Sequence, residues 1–388
     1  MKRLRLAIDG NEANVPNRVG SNVYAYEILS AIEKSTRRRK DWQITVLLAN
    51  PPQAHMPGER DRWHYKIIKP TPFWTQLALP LHLFNHKHDY DVLYTPGHYA
   101  PRFSAVKYVS TVMDLAFLRF PEQFKKRDLV QLKEWTAYSV KHARKIITIS
   151  RYSKQDIVWA YDRKPSEIVV AYPAVQDLVP VSPPIIRKTL RGLQITGPYV
   201  LYVGTIQPRK NIGRVVDAFE KMVMEFSTQK GNRYKPFKHL QLVIAGKTGW
   251  LATPIIRRIN ESPLKDRIIM TGYISELEKK ALYQGATTSI LVGLYEGFGI
   301  PALESLQLGT VPVVAQTTSL PEVVGDAGIL VDPTKTDSIA EGLKKAVLMT
   351  ATERGLFRRK GRSQLRKFSW MESAAKILTT LEEVATET

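Results

Sequence analysis

The chain has 388 residues, 44% of them hydrophobic and 24% charged, which is the balance of a globular protein and too much chain for one ordinary core. It holds no cysteine, which excludes disulfides and thiolate metal centres, and no apolar run near the ~20 residues that a membrane helix requires. Its 57 basic and 36 acidic side chains give a net charge of +21, a field that attracts anions such as nucleic acid, acidic lipid headgroups or phosphorylated substrates.

The N-terminal apolar stretch ends at Asp9, too soon for a signal-peptide core, so Arg5–Asp9 reads as a first buried strand. A helix over Val23–Glu33 follows, then strands Gln43–Leu48 and Tyr65–Ile68 and a helix over Trp74–Phe84. Strands Val92–Tyr94 and Lys107–Thr111, a helix over Pro121–Lys141, strand Lys145–Ile149, a helix over Ser153–Trp159 and strand Ile168–Ala171 complete the first half. Short β-branched runs alternating with longer amphipathic stretches are the mark of βαβ units and parallel sheets. Pro180, Pro183 and Pro184 then interrupt the pattern. Proline fixes φ and lacks a donor, so residues 179–198 read as a linker that resists both helix and central strand.

The alternation restarts with strands Tyr199–Val203, Leu240–Ala245, Arg267–Met270, Thr287–Leu291, Val311–Val314 and Gly328–Val331. Two helical stretches, Ala351–Lys367 and Ser369–Val384, end the chain, with Ser369 placed as an N-cap. The expected organisation is a first lobe over 1–178, the linker, a second lobe over 199–367, and a helix within 368–388 that crosses back to the first lobe. Each lobe would be a doubly wound parallel sheet, with ligands at the carboxyl ends of the strands.

The segment richest in chemistry is Leu294-Tyr295-Glu296-Gly297-Phe298-Gly299-Ile300-Pro301-Ala302-Leu303-Glu304-Ser305. Gly297 and Gly299 permit sharp turns and close ligand approach, and Pro301 suits the start of a helix. A helix start presents N–H groups and partial positive charge, a seat for a diphosphate. Glu296 is expected in the loop and Glu304 in the first helical turn, as acceptors for sugar hydroxyls. Taken singly, each glutamate reads equally well as structural.

The string Glu-Gly-Phe-Gly-Ile-Pro-Ala-Leu-Glu resembles the signature of glycosyltransferase family four, two glutamates separated by seven residues. The similarity extends through Ile8–Asn14 with Arg18-Val19-Gly20, through Tyr202–Asn211 and through Ser319–Ala327. The resemblance implies the GT-B fold, two Rossmann-like lobes facing a central cleft, and a retaining, metal-independent hexosyltransferase, of mannosyl or glucosyl type. Its co-substrate would be a nucleoside-diphosphate sugar and its acceptor a glycan or a lipid-linked sugar. It implies that Glu296 contacts the donor sugar, that Glu304 holds the ribose, and that Gly297, Phe298, Gly299 and Ile300 line sugar and diphosphate. Arg209 and Lys210 would neutralise the diphosphate, beside Gly204. Gly20 would let the first-lobe loop approach the phosphate.

Three departures stand out. Relatives often carry His-Asp-Leu where this chain has Met113-Asp114-Leu115; Asp114 is kept, but a thioether cannot donate a hydrogen bond. His98 is the nearest candidate to compensate. Val292-Gly293 stands where Pro-Ser is usual, a change expected to alter loop stiffness, and the loop at Val19-Gly20 has one glycine where two are often found.

Residues 1–200 carry 31 basic and 17 acidic side chains, and residues 201–388 carry 26 and 19, so the acceptor is expected at the first lobe. Arg37–Lys40, a helix region bearing Lys125, Lys126, Arg127, Lys133, Lys141, Arg144 and Lys145, and Phe73-Trp74 suggest docking on an anionic membrane surface. The expected location is the cytoplasm, at the inner face of a membrane. Two rival readings remain: a degenerate, non-catalytic partner, because of Met113, and a basic nucleic-acid-binding protein, because of the charge. No zinc-finger spacing or ribonucleoprotein motif supports the latter. A nicotinamide enzyme is disfavoured, since no Gly-x-Gly-x-x-Gly follows the first strand.

Overall fold

The computed structural model describes residues 3–18, 20–97, 99–176 and 178–387. It divides into two compact units, residues 1–173 with 369–388, and residues 174–368.

Unit 1 is built on seven strands: β1 (Leu4–Asp9), β2 (Trp42–Leu48), β3 (Trp63–Ile67), β4 (Val92–Thr95), β5 (Tyr108–Val112), β6 (Lys145–Thr148) and β7 (Ile168–Val170). They form one parallel sheet in the order β3-β2-β1-β4-β5-β6-β7. The sheet is covered by helices, so the central strands are buried on both faces, which is why they are rich in apolar and β-branched residues. The final helix, Trp370–Thr386, belongs to this unit and packs on Ser21–Thr36, with Trp370 edge-on to Tyr24. Ser369 caps it by accepting from the Glu372 amide.

Unit 2 holds β8 (Tyr199–Val203), β9 (Gln241–Ala245), β10 (Ile268–Gly272), β11 (Thr288–Leu291), β12 (Pro312–Ala315) and β13 (Ile329–Val331). Their order is β10-β9-β8-β11-β12-β13, again all parallel. In both sheets the order reverses at a central pair, β1 and β4 in unit 1 and β8 and β11 in unit 2. Loops leaving the carboxyl ends of such a pair diverge to opposite faces and leave a crevice, the usual ligand position in this class of sheet.

The linker reading over 179–198 needs correction. Pro183–Gly192 is a helix, with Pro183 and Pro184 in its first turn, where their missing N–H groups have no bond to lose. It lies on the helix Glu276–Gly285, and Gly285 makes room for Ile186 and Leu190, either of which would crowd a Cβ there. Gln284 fastens the entry by accepting from the Val181 amide at 2.7 Å. The expected helix over Pro121–Lys141 also divides, into a short turn at Pro121–Gln123 and the helix Lys126–His142, because Phe124 is extended.

Candidate functional site

At the switch point of unit 2, β8 leads into Gly204–Asn211 and β11 leads into Val292–Gly299. Gly204 has φ +151°, and the neighbouring loop after β9 comes so close that a Cβ on Gly246 would lie 2.1 Å from the Gly204 carbonyl oxygen. Pro208–Lys210 make a single tight turn, and Asn211 takes a left-handed conformation to start the helix Ile212–Thr228.

Five contacts fasten this turn to the loop after β11. The Leu294 amide donates to the Arg209 carbonyl at 2.8 Å, and Asn211 Nδ2 donates to the Val292 carbonyl at 3.0 Å. Arg209 donates to the Tyr295 carbonyl at 3.2 Å. Lys210 Nζ lies 2.7 Å from each oxygen of Glu296, and Arg209 lies 3.9 Å from the same carboxylate. From the other side Ser319 Oγ donates to the carbonyls of Glu296 and Phe298 at 2.8 and 2.7 Å. Glu296 is therefore a buried carboxylate with its ammonium partner fixed by the backbone of two switch-point loops. Among the described residues, Nε of Arg209 and Oε1 of Gln207, both buried, have no protein partner. Buried orphan donors and acceptors are rare and ask for a ligand or a water.

The helix Ile300–Gln307 starts at Gly299, whose φ is +113° and whose missing side chain leaves the first turn without a side-chain cap. Gly299 is demanded by protein packing, since a Cβ would strike Leu320 at 2.5 Å. Glu304 is the fifth residue of this helix, so it stands in the second turn and not the first as expected. The first turn carries no acid. The favourable effect of an acid on the helix dipole fades beyond the first turn, so it does not account for Glu304.

What holds Glu304 is Lys279, which no local sequence feature singles out. Its ammonium lies 2.6 Å from Oε1, while the Tyr283 hydroxyl is 3.4 Å from Oε2. Burial raises the Glu304 carboxyl above its ordinary value against the pull of Lys279. For Lys279, burial works downward, but the charge and hydrogen bond of Glu304 outweigh it and keep the ammonium charged.

Gly293 also proves to matter for more than stiffness. A Cβ there would lie 2.9 Å from Glu296 Oε1 and 3.2 Å from the Arg209 carbonyl, so the glycine leaves the space that the Lys210–Glu296 pair occupies.

The structure thus brings Arg209, Lys210, Glu296, Gly297, Phe298, Gly299 and Ile300 together beside Gly204, with Glu304 one pair removed. Two expected residues lie in unit 1. Gly20 precedes the helix Ser21–Thr36 with φ +53°, and Asp114, after β5, accepts from the Ala116 amide at 3.0 Å. Met113 is buried beside it. His98 lies outside the described residues. At the unit 1 switch point the sequence reading passed over Asp9, whose buried carboxyl is pushed up to about 7 by burial, against two hydrogen bonds from Asn11.

Residues 190–364 match the family model described as glycosyl transferases group 1. The O-antigen chain mannosyltransferase B of Escherichia coli is 30% identical over 281 residues, which cover 72% of this chain and 71% of that protein. The chain belongs to the group 1 glycosyltransferases. Another such relative is the GDP-mannose-dependent alpha-(1-6)-phosphatidylinositol dimannoside mannosyltransferase of Mycobacterium tuberculosis, 34% identical over 150 residues, 38% of this chain and 37% of that protein. In fold, this glycosyltransferase matches the HepE protein of Anabaena, solved in complex with UDP and glucose. The TM-score is 0.68 at 18% identity, over 98% of this chain and 99% of that one. The two parallel-sheet lobes are those of the GT-B fold.

Proposed function

We propose that this glycosyltransferase moves a mannosyl group from a nucleoside-diphosphate sugar, of the GDP-mannose type, to a glycan or lipid-linked acceptor, with retention of anomeric configuration and without a metal. The observation that carries the reading is the Lys210–Glu296 pair at the β8–β11 switch point, beside an uncapped helix start. The mannosyl transfer of the E. coli and M. tuberculosis relatives supports the sugar, and the GDP-mannose dependence of the latter supports the base. The UDP and glucose in the HepE structure support a nucleotide-sugar donor in a fold of this kind.

In this reaction the bond from the sugar's anomeric carbon to the diphosphate oxygen breaks as the bond to the acceptor oxygen forms on the same face. The acceptor proton passes to an oxygen of the departing diphosphate. Negative charge grows on that diphosphate, so fixed cations and N–H donors aimed at it lower the barrier most. Lys210, Arg209 and the amide end of Ile300–Gln307 are such groups, and they do the neutralising that a metal ion does elsewhere. Glu296 keeps lone pairs beyond those used by Lys210 and accepts from donor-sugar hydroxyls. It positions and stabilises, and forms no covalent bond. Glu304 accepts from the ribose hydroxyls, with Lys279 holding its orientation.

The test is transfer from labelled GDP-mannose and UDP-glucose to a glycan acceptor. Transfer from GDP-mannose is expected, and Glu296→Ala should lower turnover by about 10²–10³ with unchanged circular dichroism. Near-normal transfer by that variant, or use of UDP-glucose alone, would overturn the reading.

A further inference from the structure

The segment between β3 and β4 carries a surface to which the chemistry proposed above assigns no role. A wide helical turn, Trp74–Ala78, runs directly into the helix Leu79–Asn85. One face of this rod is core: Trp74, Ala78, Leu79 and Leu83 are buried, and Trp74 Nε1 donates to the Ile68 carbonyl at 3.2 Å. Trp74 is therefore not the interfacial aromatic that the sequence suggested.

The opposite face is Phe73, Leu77, Leu81 and Phe84, spaced by four, four and three residues, the spacing of one helical stripe. They are 69%, 61%, 62% and 63% exposed. Single exposed apolar side chains are ordinary on a protein surface, but four in one stripe make a patch, and patches mark contact surfaces. Ile67, at the end of edge strand β3, adds to it at 45%.

The charge around this stripe is one-sided. From residue 62 to 88 there is no acidic side chain, while Lys66, Lys69 and Lys87 are basic, and four of the eight histidines fall in the same span; Arg62 is taken up by Asp61, and Asp89 follows the span. The Lys87 ammonium lies 5.9 Å from the Phe84 ring. Lys69, on the loop that opens the rod, donates to the Ala49 carbonyl at 2.9 Å, which ties that loop to the end of β2. By contrast, two of the basic residues expected to face an anionic surface are engaged elsewhere: Arg37 pairs with Glu33, and Arg39 with Asp41 and Glu382.

We propose that the ridge Phe73–Leu77–Leu81–Phe84 inserts into the interface of an anionic lipid bilayer, with Lys69 and Lys87 at headgroup level. An apolar ridge standing out from the surface, on a segment that carries Lys69 and Lys87 and no acid between residues 62 and 88, matches a fluid apolar layer under an anionic surface and needs no shaped partner. The rod leaves from the carboxyl end of β3. Its Phe73 end thus adjoins the edge of the unit 1 sheet at which ligands of doubly wound sheets bind. Docked this way, unit 1 would hold that edge at the membrane surface. This proposal goes beyond the transfer reaction, and its test needs no sugar donor.

The experiment is cosedimentation of the full chain with phosphatidylcholine vesicles, with and without phosphatidylglycerol. The chain should sediment only with the anionic vesicles. Leu77→Gln/Leu81→Gln leaves the net charge untouched and should lower the partition coefficient at least about tenfold. Lys69→Gln and Lys87→Gln should each lower it about fivefold. Circular dichroism and melting temperature should stay at wild-type values in the leucine variant, because both side chains are exposed. Three results would overturn the proposal. One is no sedimentation with anionic vesicles. Another is equal sedimentation of the leucine variant, which would mean that general basicity alone binds lipid. The third is a dimer in solution that the leucine variant abolishes without vesicle binding, which would make a second copy the occupant.

Discussion

Replacing Lys279 by Met should uncover the cost of burying Glu304. The two groups are 2.6 Å apart and their side chains are only 17% and 10% exposed, so water offers little to a carboxylate that loses its partner. Removing one member of such a pair typically costs about 3–5 kcal/mol, mostly from the uncompensated charge left behind. The second ion pair of Lys279, with Glu276 at 2.9 Å, involves a carboxylate that is 73% exposed and contributes no more than about 0.5 kcal/mol. Burial already raises the Glu304 carboxyl, and loss of Lys279 raises it further. The stability that protonation restores is present at low pH and lost as pH climbs through that raised value. Lys279→Met should therefore destabilise most at about pH 8 and much less at about pH 5. Adding Glu304→Gln should recover most of the loss at the higher pH. The assay is urea unfolding followed by far-ultraviolet circular dichroism at both pH values. A loss below about 1 kcal/mol at the higher pH, or a double variant no more stable than the single one, would refute the reasoning.

Three further outcomes follow from the same geometry. Asp9→Asn keeps an acceptor for Asn11 and removes a carboxylate whose ionisation burial opposes up to about 7; the stabilisation should be absent at about pH 4, grow as pH rises to about 7, and reach at most about 4 kcal/mol beyond, read from melting temperatures across pH. Gly293→Ala should push the Glu296 carboxylate off Lys210, lowering kcat by about tenfold or more and the melting temperature as well, because it strains a buried ion pair and crowds the Arg209 backbone carbonyl. Met113→His restores a hydrogen-bond donor at the end of β5 and should raise transfer activity several-fold in a steady-state assay; an unchanged rate would show that the thioether costs the enzyme nothing.

Much of this molecule is legible from local sequence. The strands of both sheets lie where β-branched runs placed them, since the central ones, buried on both faces, favour apolar and β-branched residues along their whole length. The glycine loop and helix start around Pro301 follow from backbone chemistry that only certain residues allow. Other features depend on tertiary neighbours. The proline pair at 183–184 reads as a breaker until a helix is seen to begin there. Lys279 lies 25 residues from Glu304 on an exposed-looking amphipathic helix, with no local mark of its partner. Gly293 reads as a flexible position, whereas its importance comes from Glu296 lying against it. Trp74 and Phe73 are adjacent in sequence, but the helical turn sends one into the core and the other into solvent.

The central claim is that Lys210 and its surroundings hold a diphosphate. Isothermal titration calorimetry with guanosine, GDP and GDP-mannose, on the wild type and Lys210→Ala, tests it directly. The account predicts that GDP binds the wild type far more tightly than guanosine does. It predicts that Lys210→Ala loses about 1.5–3 kcal/mol of that diphosphate increment, while the affinity for guanosine stays the same. An increment undiminished in Lys210→Ala would contradict it.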